Sequence, residues 1–487
     1  MNPQSLSTSI LRGSLSKAAC ATVLVYGLTM AAGRTAEAQT FTVLHAFTGG
    51  EDGAEPVAGL TPDGTGIFYG TTYGSGMDNQ GTVFQLKQTG GNWVLQTLAS
   101  GLDYPEGRVV FGPHGYLYGM TSGGQCFSGY FYCGGVYSLR PACSNPNCPW
   151  LVSSLYQFHG SDDGGNPGIG PPVFDQAGNL YGTTFDGGTT GNGVVFTLTP
   201  PLDGGPGEWT ESPIYSFTDG SDGKWPSGGV IFDSAGNLYG ATQHGGAYDD
   251  GTVFKLSPSG SGWAITTLYT FQGGTDGQLP IGGLILDGFG NLYGTTAGAG
   301  AAGGGTVFKL SPSGIGWTFS VLYGLPGAPN QGPFASLTID TAGNLYGTTA
   351  GEGTYGSGSV FKLMPDNGGW SYTDLFNFNF RDGVVNLTGY HPSKRRRPGR
   401  QRQPVRHSEL RRTNGHNLLS GMWSRLGDHT VATCPRRRAG MAVDKSPLQC
   451  AGLNRYEAGE EESLRERSSD PLGPEFCAVF REELGEA

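Results

Sequence analysis

The sequence predicts an all-β fold, a β-propeller of four-stranded blades, with seven blades in the intact protein and the last blade disrupted. The first observation is a repeat of about 55 residues whose most regular part is Gly-Asn-Leu-Tyr-Gly-Thr-Thr. The second is that each unit holds four short apolar segments bounded by turn residues, and the third is the lack of any long helical pattern. Six tyrosines mark the register of the repeat: Tyr69, Tyr118, Tyr181, Tyr239, Tyr293 and Tyr346. Such four-stranded antiparallel units are typical of propeller blades.

The unit around Tyr239 shows the four predicted strands, A to D, in chain order. Strand A is the continuous apolar run Val230 to Phe232, which predicts burial on both faces near the axis. Strand B covers residues 237–242, strand C covers 252–257 with alternating apolar residues, and strand D covers 263–271. An Asp-x-x-Gly turn joins A to B, and its Asp is expected to cap that turn. This turn recurs at Asp175, Asp233, Asp287 and Asp340.

The phrases Leu-Tyr-Gly-x-Thr, Gly-Gly and Gly-Thr-Val-Phe at this spacing resemble the GloVer tandem-repeat family of secreted bacterial proteins. The resemblance covers residues 41–380 and rests on motifs that recur in tandem. It implies a propeller-like extracellular protein without a defined biochemical activity. A C-terminal surface anchor is common in that family, and no anchor is recognisable in this sequence.

The N-terminus predicts export. Arg12 and Lys17 precede a mostly apolar run at residues 18–32, and Ala36-Glu37-Ala38 fits a small-x-small cleavage site. We therefore expect a secretory signal peptide at residues 1–38, propeller repeats at 39–383, and a secreted or extracytoplasmic location in the periplasm or at the cell surface. No other segment is long and apolar enough for a transmembrane span.

Four cysteines of the second unit are expected to form disulfides, because an even number in an exported chain favours pairing. Three pairings are open to Cys126, Cys133, Cys143 and Cys148. We favour Cys126 with Cys133 and Cys143 with Cys148, since each bond then closes a local loop. A zinc site would need tighter Cys-x-x-Cys pairs.

The tail at residues 384–487 has the composition of another protein. Residues 394–487 hold 18 of the 29 Lys and Arg residues of the chain. The same residues hold only nine of its 87 glycines. Codons compatible with Tyr390 to Arg412, read one base later, can encode TIQASVVVLDASGNLYGTPNYGG, which is a seventh copy of the repeat. We interpret the tail as a frameshifted remnant of the last blade followed by non-native, disordered sequence. Restored, the ring would be closed by the strand at Phe41 to Phe47.

The favoured function is a binding or surface-interaction module whose partner is an extracellular carbohydrate or protein. The loops from D to A and from B to C are expected on one face, and the D to A loops are acidic. Carboxylates there could hold calcium, and the candidates are Asp52, Asp162, Asp222 and Asp276. Plain Asp-Gly turns remain the favoured interpretation. The acidity of residues 39–393, which hold 26 Asp and Glu but only 8 Lys and Arg, argues against nucleic acid.

The alternative function is an extracellular propeller lyase or hydrolase with an axial site, which would need histidines, a metal or a nucleophile gathered at the axis. The repeats contain His45, His114, His159 and His244 at non-equivalent positions, and no nucleophile or metal motif accompanies them. No catalytic residue is therefore assigned. Tyr73, Tyr130, Tyr132, Tyr248 and Tyr355 are candidate platforms for stacking of a sugar.

Overall fold

The computed structural model describes residues 41–74, 80–124, 133–143, 145, 148–201, 209–327, 331–379 and 476–478. The predicted signal peptide at 1–38 and almost all of the tail at 384–487 lie outside these residues. Within the described ranges the protein has 27 β-strands, one single-turn 3-10 helix at Pro113–Gly115, and no α-helix. None of the described residues forms a helix that is long and apolar enough to cross a membrane.

Six antiparallel sheets follow one another along the chain as the blades of a propeller, and each has the strand order A-B-C-D. The A strands are β2 (Thr61–Pro62), β6 (Val110–Phe111), β11 (Val173–Phe174), β15 (Val230–Phe232), β19 (Ile285–Leu286) and β23 (Thr338–Ile339). The B strands are β3 (Phe68–Thr72), β7 (Leu117–Thr121), β12 (Leu180–Asp186), β16 (Leu238–Thr242), β20 (Leu292–Thr296) and β24 (Leu345–Thr349).

The C and D strands are longer. The C strands are β4 (Gly81–Thr89), β8 (Gly135–Pro141), β13 (Val194–Thr199), β17 (Thr252–Ser259), β21 (Gly303–Ser313) and β25 (Ser359–Asp366). The D strands are β5 (Asn92–Leu102), β9 (Trp150–Gln157), β14 (Thr210–Ser216), β18 (Gly262–Thr270), β22 (Gly316–Pro326) and β26 (Gly369–Asn377). Blade 3 has an additional short strand, β10 (Gly165–Pro167), which pairs with β12. The predicted order of the four strands is therefore confirmed in six blades.

The burial of the A strands differs from the prediction. Strand β15 has the predicted bounds, Val230–Phe232, but Ile231 and Phe232 are half-buried instead of buried on both faces. The residues just before strand A contact the backbone of the next blade, since a Cβ at Gly228 would lie 2.8 Å from the carbonyl carbon of Gly282.

The hydrophobic core lies between neighbouring blades, and the tyrosine of the repeat is part of each interface. Tyr181 of blade 3 packs edge-on against Phe232 of blade 4 at 5.0 Å and also contacts Trp263 of that blade. Val195, Phe217, Leu238 and Phe254 are buried in the same interface. Equivalent residues form the other interfaces between blades. Each sequence repeat therefore supplies one such interface.

The glycine of Leu-Tyr-Gly is fixed by a close approach to strand C. A Cβ at Gly182 would lie 2.7 Å from Cζ of Phe196, which is buried in the facing strand. Real Cβ atoms do not come so close, because packed interiors resist the overlap. The same contact occurs between Gly240 and Phe254.

The Asp-x-x-Gly turn caps itself, as predicted. The carboxylate of Asp233 accepts hydrogen bonds from the backbone N–H groups of Ala235 and Asn237, each at 2.9 Å, and from the hydroxyl of Tyr239 at 3.0 Å. Gly236 has a φ of 81°, which glycine adopts without strain. Lys255 of strand C lies over the Tyr239 ring at 5.7 Å. The turn, the tyrosine and strand C thus form one unit.

The N-terminal strand β1 (Val43–Ala46) occupies a place equivalent to a D strand. Phe47 packs against Phe84 of blade 1 at 5.2 Å, just as Phe217 packs against Phe254 between blades 3 and 4. On its other side, Phe41 stacks on Phe376 of blade 6 at 4.1 Å. The backbone of β1 pairs antiparallel with β27 (Phe476–Ala478). Residues 41–47 therefore lie between blade 6 and blade 1.

Candidate functional site: the mouth of the axial channel

The axis is lined by the residues that immediately precede each strand A. A Cβ at Gly228 would lie 2.8 Å from the carbonyl oxygen of Gly282, and one at Gly282 would lie 2.7 Å from that of Ala335. The N–H of Gly170 donates to the carbonyl of Ser227 at 3.0 Å. Blades 3, 4, 5 and 6 therefore contact one another in turn through bare backbone, which explains the Gly-Gly pairs before strands A of blades 4 and 5.

Apolar side chains from three blades meet at the axis. Ile281 and Phe334 are buried at 2% and 3% exposure, and Ile169, Leu279 and Ala350 pack against them. Because Ile169 belongs to blade 3 and Phe334 to blade 6, this contact joins blades that are not neighbours. The cluster gives one side of the axis an apolar lining.

Above these residues, an equivalent position in five blades has a left-handed backbone without being glycine. We call this set the mouth ring: Glu55, Tyr104, Asn166, Trp225 and Leu279, with φ between 55° and 61°. Each member directly precedes a proline. A left-handed conformation costs roughly 1–2 kcal/mol for a residue with a Cβ. The blades maintain this conformation with five chemically different side chains.

Backbone hydrogen bonds hold the mouth ring in place. The carbonyl of Trp225 accepts from the N–H of Gln243 at 3.1 Å, and that of Tyr104 accepts from the N–H of Ser122 at 3.0 Å. The N–H of Trp225 donates to the carbonyl of Asn192 in the preceding blade at 2.9 Å. These bonds join the D to A loops to the B to C loops, so both loops lie on one face, as predicted.

Aromatic side chains cluster on one part of the ring. Phe185 stacks on Trp225 with ring centroids 5.2 Å apart and planes 16° apart, and Tyr73 lies against Tyr104 at 4.9 Å. Each pair joins two neighbouring blades. Trp225, Tyr73 and Tyr104 are half-buried, so part of each ring faces solvent. Blades 5 and 6 have Leu279 and Gly332 at the ring position, which makes the mouth asymmetric.

A small cavity of about 20 Å³ opens beside the aromatic pair of blades 3 and 4. Its lining includes Glu106, Asn166, Ile169, Phe185, Ser227 and Gln243. Gln243 is 1% exposed, and its buried Nε2 atom has no hydrogen-bond partner among the described residues. A volume of this size holds about one water or one small polar group. The cavity can therefore accept a single ligand group, while a larger ligand would lie across the mouth.

A cluster of charged side chains lies beside the mouth ring at blade 4. Lys224 binds Asp219 at 2.7 Å and Asp249 at 3.1 Å. Burial opposes the charge of Lys224, but its hydrogen bonds to these two carboxylates outweigh burial and raise its pKa. Lys224 also lies over Trp225 at 5.3 Å. The ammonium group thus makes a cation–π contact with Trp225.

The acidic residues that the sequence offered as calcium ligands are bound within their own loops. Asp222 accepts hydrogen bonds from the Tyr215 hydroxyl at 3.0 Å, from Thr218 N at 2.8 Å and from Gly220 N at 3.1 Å. Asp276 accepts from the Tyr269 hydroxyl and from Gln272 N, both at 2.9 Å. Each carboxylate therefore closes a D to A turn.

Blades 1 and 3 follow the same rule with a histidine. Burial disfavours the Asp52 carboxylate, but hydrogen bonds from Thr48 and His45 outweigh it and lower the pKa of Asp52. In blade 3 the equivalent residue is Asp163, which accepts from the N–H of His159 at 2.9 Å, whereas the predicted Asp162 is exposed. Within the described ranges, no three His, Cys, Asp or Glu side chains are grouped to hold a metal.

The other predicted residues have mixed outcomes. Cys143 and Cys148 form the predicted disulfide, with Cα atoms 5.7 Å apart. Cys133 is buried and disulfide-bonded, while Cys126 lies outside the described residues. Tyr248 and Tyr355 are 59% and 58% exposed in the B to C loops of blades 4 and 6. Tyr130 and Tyr132 lie outside the described residues. The four histidines of the repeats lie in separate parts of the propeller.

The strand order and the packing define the protein as a repeat β-propeller. The Gloeobacter/Verrucomicrobia repeat family matches residues 126–314 and 170–395, which together make up more than half of the chain. The protein belongs to this family, and the resemblance found in the sequence is confirmed. No curated protein matches the sequence.

Solved propellers resemble the chain at low identity. A protein described as a gluconolactonase is 14% identical with a TM-score of 0.38, covering 69% of this chain and 93% of its own. A protein described as a 6-phosphogluconolactonase from Bacteroides uniformis is 14% identical with a TM-score of 0.44, covering 66% and 83%. An ulvan lyase is 11% identical with a TM-score of 0.42, covering 69% and 86%. These likenesses assign no activity to this chain.

Proposed function

We propose that the protein is a secreted binding module that holds an extracellular carbohydrate or protein ligand at the mouth ring. The observation that carries this proposal is the contrast between backbone and side chains at the ring. The left-handed conformation recurs in five blades, yet the side chains are Glu, Tyr, Asn, Trp and Leu. A rigid scaffold that presents variable side chains around one opening is the usual arrangement of a binding surface.

Carbohydrate is the ligand class that the aromatic pairs favour. Trp225, Tyr73 and Tyr104 present half-buried aromatic surface beside polar groups, while Phe185 is buried against Trp225. A sugar ring has an apolar C–H face that packs on such surface, and its hydroxyls can bond to side chains such as Asn166 and Gln243. Aromatic surface with a few convergent polar groups is typical of small-ligand sites.

Binding to glycan and peptide arrays tests this proposal with two variants. Trp225→Leu places at blade 4 the residue that blade 5 carries as Leu279, so the fold should persist. Phe289→Ala removes a side chain that is 90% exposed on an A to B turn, at the position that blade 4 fills with Ala235. We expect Trp225→Leu to weaken array hits by about 2 kcal/mol, or roughly 30-fold, and Phe289→Ala to leave them unchanged.

Two results would count against a binding role at the mouth. One is a set of array hits that Trp225→Leu does not weaken. The other is chemical conversion of a bound glycan, detected by mass spectrometry, which would support the alternative of a propeller lyase or hydrolase.

Secretion is part of the proposal, with cleavage of a signal peptide after Ala38. The disulfide between Cys143 and Cys148 supports an oxidising compartment. N-terminal sequencing of protein recovered from the periplasm or medium should give Gln39 as the first residue. Recovery of only the uncleaved, cytosolic chain with free thiols at Cys143 and Cys148 would contradict export.

We also infer a seven-bladed ring in the intact protein, with the last blade interrupted by a frameshift. The inference is supported by the position of β1, whose neighbours Phe41 and Phe47 contact blade 6 and blade 1 as D-strand residues do. A D strand there implies three further strands of its own blade. Resequencing of the gene through the codons for residues 382–412 tests the frame directly.

A further inference from the structure

We propose that the cavity beside Trp225 binds the hydroxymethyl group of a neutral hexose. The cavity is the one whose lining includes Glu106, Phe185, Ser227 and Gln243. This inference rests on the proposed binding of carbohydrate at the mouth ring. It adds which sugars bind there: hexoses are accepted, while pentoses and sugar acids are not.

An unpaired buried donor is the first argument. Gln243 lines the cavity at 1% exposure, and its Nε2 atom has no hydrogen-bond partner in the described part of the chain. A buried donor without an acceptor is unfavourable. Blades 5 and 6 have Ala297 and Ala350 at this position, so the fold does not require an amide there. The amide of Gln243 can therefore donate to a ligand atom.

The chemistry of the lining is the second argument. The half-buried Glu106 lines the same cavity, and its carboxylate accepts hydrogen bonds and repels anions. The Ser227 hydroxyl donates to the carbonyl of Ile281 at 3.2 Å. A ligand carboxylate or carbonyl can only accept and an ammonium group can only donate, whereas a hydroxyl does both. A hydroxyl is therefore the group that suits Gln243 and Glu106 together.

Size and position are the third argument. A volume of about 20 Å³ holds one hydroxyl but no sugar ring. The cavity adjoins Trp225, because Phe185 stacks on that ring at 5.2 Å and the N–H of Gln243 donates to its carbonyl at 3.1 Å. A pyranose that packs on the half-buried Trp225 keeps its ring hydroxyls close to the sugar ring. Its hydroxymethyl group extends one bond further and rotates, so it can enter the cavity.

Two series of methyl glycosides test the proposal on the full-length chain. Glucose, xylose and glucuronic acid differ only in one ring substituent, which is hydroxymethyl, hydrogen or carboxylate. Galactose, L-arabinopyranose and galacturonic acid form the second series. In at least one series, calorimetric titration should show the hexoside binding about tenfold more tightly than the pentoside. The uronide should bind no better than the pentoside, because its carboxylate meets Glu106 and brings no proton to donate.

Three variants make the test specific. Gln243→Ala installs the residue of blades 5 and 6, so it should fold, weaken the hexoside about tenfold and leave the pentoside unchanged. Glu106→Gln removes the charge at nearly constant shape and should strengthen binding of the uronide. Gln88→Ala removes an exposed glutamine of strand β4 at the C to D hairpin and should bind as the parent does.

Equal binding of hexoside and pentoside in both series overturns this proposal, as does an equal loss of both in Gln243→Ala. Either result leaves carbohydrate binding at the mouth ring standing. If no glycoside of either series binds, this proposal also falls, and the proposed function falls with it only if the arrays yield no ligand.

Discussion

Two glutamates with buried carboxyl oxygens show what happens when a single residue departs from the repeat. Glu211 pairs with Leu198 across blade 3 at the position that blades 5 and 6 fill with Phe319 and Tyr372. Burial, with a smaller contribution from Asp163, raises its pKa to about 8. Its Oε1 atom is buried without a hydrogen-bond partner in the described part of the chain. Glu211 therefore weakens an interface that an aromatic residue stabilises elsewhere.

Replacing Glu211 with the aromatic residue of blade 5 should stabilise the protein. In blade 5, Phe319 stacks on Tyr269 of the preceding blade at 3.8 Å, and Tyr156 is the equivalent partner for residue 211. We expect Glu211→Phe to raise the free energy of unfolding by about 1–3 kcal/mol, because a buried unpaired polar atom is removed and a ring contact is gained. Denaturant unfolding measures the change. The reciprocal variant Phe319→Glu should destabilise, and a lower midpoint for Glu211→Phe would contradict this account.

The two glutamates should also make stability depend on pH. Burial, with Asp374 nearby, raises the pKa of Glu352 to about 8 as well. A carboxyl group whose pKa is higher in the folded state loses its stabilising contribution as pH rises from the unfolded value to the folded one. The parent should therefore lose stability relative to Glu211→Gln/Glu352→Gln between about pH 5 and pH 8. A difference in the free energy of unfolding between parent and variant that stays constant over this range would show that neither carboxyl group has a raised pKa.

At the scale of the elements, the strands and turns were predictable because they repeat. The Leu-Tyr-Gly glycine, the Asp-x-x-Gly turn and the apolar residues of strand C recur at fixed spacing, and the structure assigns each a packing or capping role. The mouth ring was missed because Glu, Tyr, Trp and Leu do not favour a left-handed backbone. A signal was present in the recurring prolines at 56, 105, 167, 226 and 280, each after a different residue.

The acidic turns illustrate a second limit of the sequence. A Tyr or His seven residues before an Asp identifies the carboxylate that closes each D to A turn: His45 with Asp52, Tyr156 with Asp163, Tyr215 with Asp222, and Tyr269 with Asp276. Composition alone could not separate Asp163 from Asp162. The distinction depends on which carboxylate faces the preceding strand.

Calcium should therefore leave the melting temperature unchanged. The carboxylates of Asp52, Asp222 and Asp276 already accept several hydrogen bonds from their own loops, and a cation would have to displace those donors. Melting curves with about 1 mM calcium and with chelator should coincide. A rise that is abolished by Asp222→Asn would instead establish a calcium site in the D to A loops.

At the scale of the whole molecule, closure of the ring depends on the strands that pair with β1. A D strand at β1 needs a strand C beside it, and in this chain its backbone partner is β27 from the far end of the tail. Unpaired strand edges and uncovered blade faces promote aggregation. The D-strand position of β1 was predictable from the sequence, because Phe41 to Phe47 matches the pattern of a D strand. The pairing of β1 with β27 was not predictable, because the tail carries no repeat.

Restoring the seventh repeat should stabilise the propeller. The restored chain keeps the sequence up to Gly389, continues as TIQASVVVLDASGNLYGTPNYGG in place of Tyr390 onward, and ends after its strand C sequence GWEITP. We expect it to be soluble and to melt cooperatively, whereas the 487-residue chain should aggregate or be trimmed near Ser393. Light scattering and calorimetry compare the two, and equal solubility and stability would contradict a missing seventh blade.

The central claim is that a ligand binds at the mouth ring. Hydrogen–deuterium exchange tests this claim most directly, when it is measured with and without the glycan or peptide that binds best on the array. The account predicts slower exchange at residues 54–57, 104–107, 166–169 and 225–228, which form the ring and line the axis. Exchange at the A to B turns, such as 287–290, should not change. Protection confined to those turns or to the outer D strands, with the ring segments unaffected, would contradict it.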